Sequence, residues 1–156
     1  SEGDIAGLQK EYSVNFLAET TDVRPYLAQS SVFVLPSYYR EGLPRTILEA
    51  MATGRAVITT DMPGCRDPIE DGKSGIIVPP RNVDALADAM RSFLTNATQA
   101  SEMGNRARAI AEQVYDVAKV NSLLIGHMGL DKTLPPAKNT SSPDLSSQDR
   151  LAVERP

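Results

Sequence analysis

The chain of 156 residues has one cysteine, one histidine and no tryptophan. Cys65 therefore has no disulfide partner within the chain, and a single thiol cannot build a cysteine metal site. His127 has no clustered partners for a metal or a catalytic triad and reads as a capping or surface residue near a helix end. Basic residues are not in excess: 16 Lys and Arg against 20 Asp and Glu give a net charge of −4. A chain so charged offers no electrostatic footprint for nucleic acid, so any anion must be bound locally. Long apolar runs are missing too; the longest fall well below the roughly 20 residues that span a bilayer, and no signal-peptide pattern opens the chain. A reducing, cytoplasmic setting is the expectation.

What is present is an alternation. Short, continuously apolar segments at Val14 to Leu17, Val32 to Leu35, Ala56 to Thr60 and Gly75 to Val78 predict strands. Between and after them, Val23 to Gln29, Pro44 to Thr53, Asn82 to Thr95, Gln99 to Tyr115 and Val117 to Met128 predict helices. Apolar strands alternating with helices mark an α/β fold, a parallel sheet covered on both faces, in which ligands bind at the carboxyl ends of strands. Four strands are fewer than the six of a complete dinucleotide-type sheet, so residues 1–131 are expected to form a Rossmann-like lobe incomplete at its N-terminus. Residues 132–156 are rich in Pro and Ser, with scattered apolar residues, and are expected to be a disordered tail.

The segment Pro36 to Gly54 carries the chemistry. It follows the apolar run Val32 to Leu35 and reads as a strand end, a sharp loop with Gly42, and a helix opened by Pro44 at its first position. Amides of that first turn, around Arg45 to Ile47, have no intrahelical partners; with the positive end of the helix dipole they form a place for a diphosphate, and Arg45 adds a charged donor. Ile47, Leu48, Met51 and Ala52 predict the apolar stripe, which leaves Glu49 turned away from the core, and Gly54 stops the helix. Glu41 lies in the loop and Glu49 about 8 Å along the helix from Pro44, at about 1.5 Å of rise per residue. Two carboxylates flanking anion-binding amides match the hydroxyls on either side of a nucleotide-sugar diphosphate. The plainer alternative is an Arg45–Glu49 surface pair one helical turn apart. A glycosidase also uses two carboxylates, yet its acid must stay protonated, and a helix N-terminus favours the ionised form.

Glu41, seven residues, then Glu49, between Leu35-Pro36-Ser37 and Glu49-Ala50-Met51-Ala52, resembles the Glu-x7-Glu signature of the retaining family 4 glycosyltransferases with the two-lobed GT-B fold. The similarity runs from about Val14 to about Leu130. Phe16-Leu17-Ala18 and Thr21-Asp22-Val23 resemble the strand and loop beside the nucleobase, with Ala18 where Gly is usual. Pro63-Gly64-Cys65-Arg66-Asp67 and Gly75-Ile76-Ile77-Val78 resemble the loop and final strand, with Asp67 where Glu is commoner. Tyr38-Tyr39-Arg40-Glu41-Gly42 and Gly64-Cys65-Arg66 further resemble the branch that extends polyprenyl-diphosphate-linked sugars in surface polysaccharide and glycan assembly.

The resemblance implies that Glu41 is the catalytic carboxylate, contacting donor sugar hydroxyls near the reacting carbon. It implies a ribose contact for Glu49, a position near the base for Thr20, and phosphate binding by Gly42, Leu43, Arg45 and Thr46. Cys65 and Arg66 sit in a loop expected to touch sugar or acceptor, with an ordinary structural loop as the equal alternative. The implied donor is a nucleoside diphosphate sugar, uridine-linked, and the acceptor a glycan or polyprenyl-diphosphate-linked sugar met through another lobe. In the full-length protein this would place the enzyme at the inner face of the plasma membrane. No Asp-x-Asp motif is present, and metal-independent chemistry without a cofactor is expected. The family's basic pair has no counterpart in these residues, so the isolated chain is expected to be inactive. Alternatives are a nucleotide-sugar epimerase of the same fold, or a non-catalytic nucleotide-sugar-binding subunit of a split enzyme.

Overall fold

The computed structural model describes residues 7, 11–12, 14–96 and 98–130; the predicted tail at 132–156 lies outside them. The elements run α1 (Arg24–Gln29), β1 (Val32–Leu35), α2 (Arg45–Ala52), β2 (Ala56–Thr60), β3 (Gly75–Val78), α3 (Val83–Thr95), α4 (Gln99–Val114) and α5 (Val117–His127). The chain divides into two units at Val120 and Asn121. The first holds the sheet and α1 to α4; in the second, 121–130 continue α5 through His127, and Leu123, Leu124 and Met128 are exposed.

The sheet is parallel in the order β1-β2-β3, with Val32 opposite Ala56, and Val57 opposite Gly75. The central strand β2 is buried at every position, which is why Ala56 to Thr60 reads as continuous rather than alternating. Side chains from successive strand positions serve opposite layers. Val57, with Phe33, Leu35 and Ile77, joins Ile47, Ala50 and Met51 of α2 and Ala107 and Ala111 of α4 in one core. Ile58 and Val78, with Val32, Val34 and Ile76, join Ala89, Leu86 and Phe93 of α3 in the other.

Gly104 lets α4 approach the sheet: a Cβ there would lie 2.9 Å from the Gly54 carbonyl carbon and 3.3 Å from the Ala56 nitrogen. Arg106 of α4 forks onto Glu70, donating from Nε to Oε2 at 3.0 Å and from Nη2 to Oε1 at 2.9 Å, which ties the helix to the segment before β3.

Three expectations are corrected. Residues 14–17 form no strand; Val14, Phe16 and Leu17 are exposed, because these residues have no ladder partner and a strand without one leaves its amides unpaired. Pro44 is the N-cap rather than the first helical residue: its φ of −65° suits a helix but its ψ of 122° is extended. The α2 stripe is also rotated, with Ile47, Ala50 and Met51 buried, Leu48 half-buried and Ala52 exposed. Small Ala50 packs in the same core as Ala107 and Ala111 of α4, and this close approach draws Ala50 inward. Gly54 ends α2 as expected, with φ +73° and its N–H donating to the Met51 carbonyl at 2.8 Å.

Candidate functional site

The loop from Pro36 to Pro44 leaves the carboxyl end of β1 and is fixed from β2. Thr59 Oγ1 donates to the Leu35 carbonyl at 3.0 Å, and Thr60 Oγ1 donates to the Ser37 carbonyl. Both threonines are buried, so their hydroxyls satisfy one carbonyl at the end of β1 and one in the loop that leaves it. Ser37 Oγ then donates to Glu41 Oε1 at 2.6 Å, orienting a carboxylate that is otherwise exposed.

A second loop, after β2, supports the first. Gly64 has φ +85°, and a Cβ there would lie 2.6 Å from the Glu41 carbonyl oxygen and 2.8 Å from the Gly42 carbonyl carbon. Its own N–H donates to Asp67 Oδ2 at 3.0 Å. The following Cys65 is fully buried in the α2 and α4 core. Burial pushes its thiol pKa up; a hydrogen bond with Thr59 opposes this, and the Glu41 and Asp67 carboxylates add to the rise. Arg66 is exposed and bound to Asp61, Nη1 to Oδ1 at 2.6 Å, and this ion pair raises its pKa further. The loop thus splits: Cys65 faces the core and Arg66 the surface.

At the start of α2 the Ile47 amide donates to the Pro44 carbonyl at 3.1 Å and the Leu48 amide to the same oxygen at 3.5 Å. Among the described residues no acceptor takes the amides of Arg45 and Thr46, so the open pair is narrower than the Arg45-to-Ile47 set read from the sequence. Gly42, Leu43, Arg45 and Thr46 are all exposed beside it. Arg45 Nε lies 3.4 Å from Glu49 Oε1, one turn along, with side-chain exposures of 89% and 34%. The rotation of α2 leaves Glu49 half-buried, on the wall of a groove of about 510 Å³ that it shares with Arg45, Leu48, Tyr115 and Asp116. Burial, and secondarily Asp67, raise the pKa of Tyr115.

Glu41, Gly42, Leu43, Arg45, Thr46 and Glu49 therefore lie along one loop and helix start, with Cys65 behind them. Thr20 is elsewhere: its hydroxyl exchanges hydrogen bonds with Asp22, donating to the carbonyl at 3.0 Å and accepting from the amide at 3.1 Å. It lines a separate cavity with Leu17, Tyr26 and Phe33. Sequence reasoning missed the bracing role of Thr59 and Thr60; two hydroxyls closing an apolar strand were the available signal. It also missed Tyr115 and Asp116, which local sequence cannot bring to Glu49. Among the described residues no group of three or more His, Cys, Asp or Glu is placed to hold a metal ion, and no helix is long and apolar enough to cross a membrane.

The family model described as Glycosyl transferases group 1 matches residues 2–96. The chain is 31% identical over 114 residues to an uncharacterized glycosyltransferase of Haemophilus influenzae, covering 72% of this chain and 32% of that protein. It is 33% identical over 82 residues to N,N'-diacetylbacillosaminyl-diphospho-undecaprenol alpha-1,3-N-acetylgalactosaminyltransferase of Campylobacter jejuni, covering 53% of this chain and 22% of that one. The chain thus spans a third or less of the length of these two relatives. Its fold is similar to that of Anabaena HepE, solved in complex with UDP, at a TM-score of 0.76 and 25% identity over 83% of this chain and 35% of that one. Sucrose-phosphate synthase of Thermosynechococcus elongatus superposes with a TM-score of 0.72 at 28% identity, covering 84% of this chain and 34% of that chain. A parallel α/β sheet, a carboxylate-bearing loop at its carboxyl edge and these matches together show that the chain belongs to the group 1 glycosyl transferases and folds as part of a GT-B lobe.

Proposed function

We propose that this lobe binds a nucleoside diphosphate sugar, and that the complete enzyme transfers its hexose or N-acetylhexosamine, with retention, to a glycan or polyprenyl-diphosphate-linked acceptor in surface polysaccharide or glycan synthesis. One observation carries the reading: Glu41 and Glu49 flank the two open amides at the start of α2. Those amides and the helix dipole suit a diphosphate, and the solved relatives bound to UDP and UDP-glucose support that ligand.

In this reading the diphosphate accepts hydrogen bonds from the Arg45 and Thr46 amides, and the backbone of Gly42 and Leu43 closes over it. Glu49 accepts from the ribose hydroxyls. The Arg45–Glu49 pair is exposed on its Arg side and of the i,i+4 kind, worth about 0.3–0.5 kcal/mol. Donor binding therefore releases both partners at small cost, Arg45 toward phosphate and Glu49 toward ribose. Glu41, held by Ser37, accepts from sugar hydroxyls beside the reacting carbon. As the glycosidic bond breaks, negative charge builds on the leaving diphosphate, and donors already aimed at it lower the barrier. The diphosphate itself takes the proton of the incoming acceptor hydroxyl on the same face of the sugar. Positive charge comes from backbone and arginine rather than from a divalent cation.

Calorimetric titration of the protein with UDP tests the donor site. Saturable binding that is weakened in Glu49→Ala is expected; absence of binding, or affinity unchanged in that variant, removes the site from this face. The titration repeated in EDTA is expected to give the same affinity.

A further inference from the structure

Two residues before Glu41 the same loop carries an aromatic pair that the donor reading leaves unused. Tyr38 and Tyr39 have ring centroids 4.2 Å apart at 34°, and their hydroxyls lie 2.8 Å apart within hydrogen-bond distance. The pair is exposed, Tyr39 by 62%. From the loop after β3, Arg81 places its guanidinium 4.7 Å from the Tyr38 ring centroid. It does so from a backbone φ of 58°, the single positive value outside glycine among the described residues. An arginine in the left-handed region costs energy that most residues avoid.

Charge pairing leaves the same corner unneutralised. Arg24, Arg45, Arg66, Arg91, Arg106 and Arg108 each face a carboxylate. Among the described residues the side chains of Arg81, Arg40 and Lys73 have neither an ion pair nor a hydrogen bond to the protein, and of the three it is Arg81 whose guanidinium lies over the Tyr38 ring. In an acidic chain, an unneutralised guanidinium over an exposed aromatic pair makes a local complement to a molecule with an apolar face and an anionic group. A phosphorylated sugar has both: axial C–H groups on one face of the pyranose, and a phosphate that an arginine fork grips with paired hydrogen bonds.

Position decides which sugar. Tyr39 is two residues from Glu41, at most about 7 Å of extended chain, so the aromatic face adjoins the reacting centre. Along the chain, Glu49 and the α2 amides, assigned to the nucleotide, lie on the far side of Glu41. We infer that Tyr39, backed by Tyr38, together with Arg81, forms an acceptor subsite for a sugar bearing phosphate or diphosphate: Tyr39 stacks on the ring and Arg81 holds the anion. This rests on the donor assignment above only for which side of Glu41 is the acceptor side.

N-acetylglucosamine 1-phosphate, titrated by calorimetry into protein saturated with UDP, tests the subsite. Wild type is expected to bind it without displacing UDP. Tyr39→Ala and Arg81→Asn, the latter chosen because Asn tolerates left-handed φ, are each expected to weaken sugar phosphate binding by about tenfold or more, with UDP affinity and circular dichroism unchanged. Tyr39→Phe and the distant Arg91→Ala are expected to bind as wild type. A farnesyl-diphosphate-linked sugar bound with the same dependence on Tyr39 and Arg81 assigns the source to lipid-linked acceptors; binding of the free sugar phosphate alone assigns it to a soluble glycan. The inference is overturned by displacement of UDP, by wild-type affinity in both variants, by equal affinity for N-acetylglucosamine lacking phosphate, or by no binding at all. Should UDP itself fail to bind, the donor assignment falls, while sugar phosphate titrated alone still decides for or against Tyr39 and Arg81.

Discussion

Gly64 lies against the backbone of Glu41: a Cβ at residue 64 would come within 2.6 Å of the Glu41 carbonyl oxygen. The loop after β2 is thus the mould on which the loop after β1 sets, and the position of the Glu41 carboxylate depends on the absence of a side chain 23 residues downstream. The φ of +85° at Gly64 makes a second demand for glycine at the same place.

Gly64→Ala is accordingly expected to lower stability by at least about 1 kcal/mol, since it meets both left-handed strain and backbone contact. Urea unfolding measures the loss, and UDP titration of the folded variant should show weaker binding as the Glu41 to Thr46 backbone shifts. Wild-type stability would mean that the two loops separate freely.

Glu49→Ala is expected to weaken UDP binding by about 1.5–3 kcal/mol, the range for a hydrogen bond to a charged acceptor. The Arg45–Glu49 pair it also removes is too exposed to matter for folding, so circular dichroism and melting should stay near wild type. Calorimetry with UDP and with free phosphate separates ribose recognition from anion binding: only the former should respond.

The two carboxylates are expected to differ kinetically in the complete enzyme. In the proposed donor complex Glu41 would lie beside the reacting carbon and its contacts would strengthen as positive charge develops, so Glu41→Gln should depress kcat more than it alters donor KM. Glu49→Gln should act mainly on KM. Steady-state kinetics at saturating donor checks the split, and full turnover in Glu41→Gln would reverse the assignment.

Cys65 supplies a pH dependence. Burial raises its thiol pKa above the ordinary value of 9.0, so the folded state holds the proton more firmly than the unfolded state. The stabilisation is complete below the unfolded thiol's pKa and declines as pH rises from there through the raised folded value. Stability of wild type should therefore fall from about pH 9 upward more steeply than that of Cys65→Ala, as read by urea unfolding across the range. A thiol reagent should label native Cys65 only as fast as the protein opens.

Much of the architecture was legible locally. Val32 to Leu35, Ala56 to Thr60 and Gly75 to Val78 are strands at the predicted bounds, because short apolar runs closed by Pro, Gly or polar residues leave few alternatives. The helix ends were legible to within a residue: Asn82 caps α3 by accepting from the Ala85 amide at 3.0 Å, and Val23 precedes α1. Residues 14–17 had the same apolar character yet form no strand, since strand formation depends on a hydrogen-bonding neighbour as much as on composition.

The order of Glu41, Gly42, Arg45, Thr46 and Glu49 along one loop and helix was set by the sequence alone, because a turn residue, a helix-starting proline and a fixed rise per residue act over short range. Tertiary structure decided the rest. Ala50 rather than Ala52 faces the core because α4 offers alanines opposite it, and that rotation brings Glu49 to the groove with Tyr115 and Asp116. Gly64 braces Glu41 and Arg81 reaches Tyr38 through pairings between loops at the carboxyl edge of the sheet, and Cys65 is buried against the α2 and α4 core. Those contacts join residues from 23 positions apart, Glu41 and Gly64, to 67 apart, Glu49 and Asp116, and the register of the parallel strands together with the packing of α4 on α2 sets their distances.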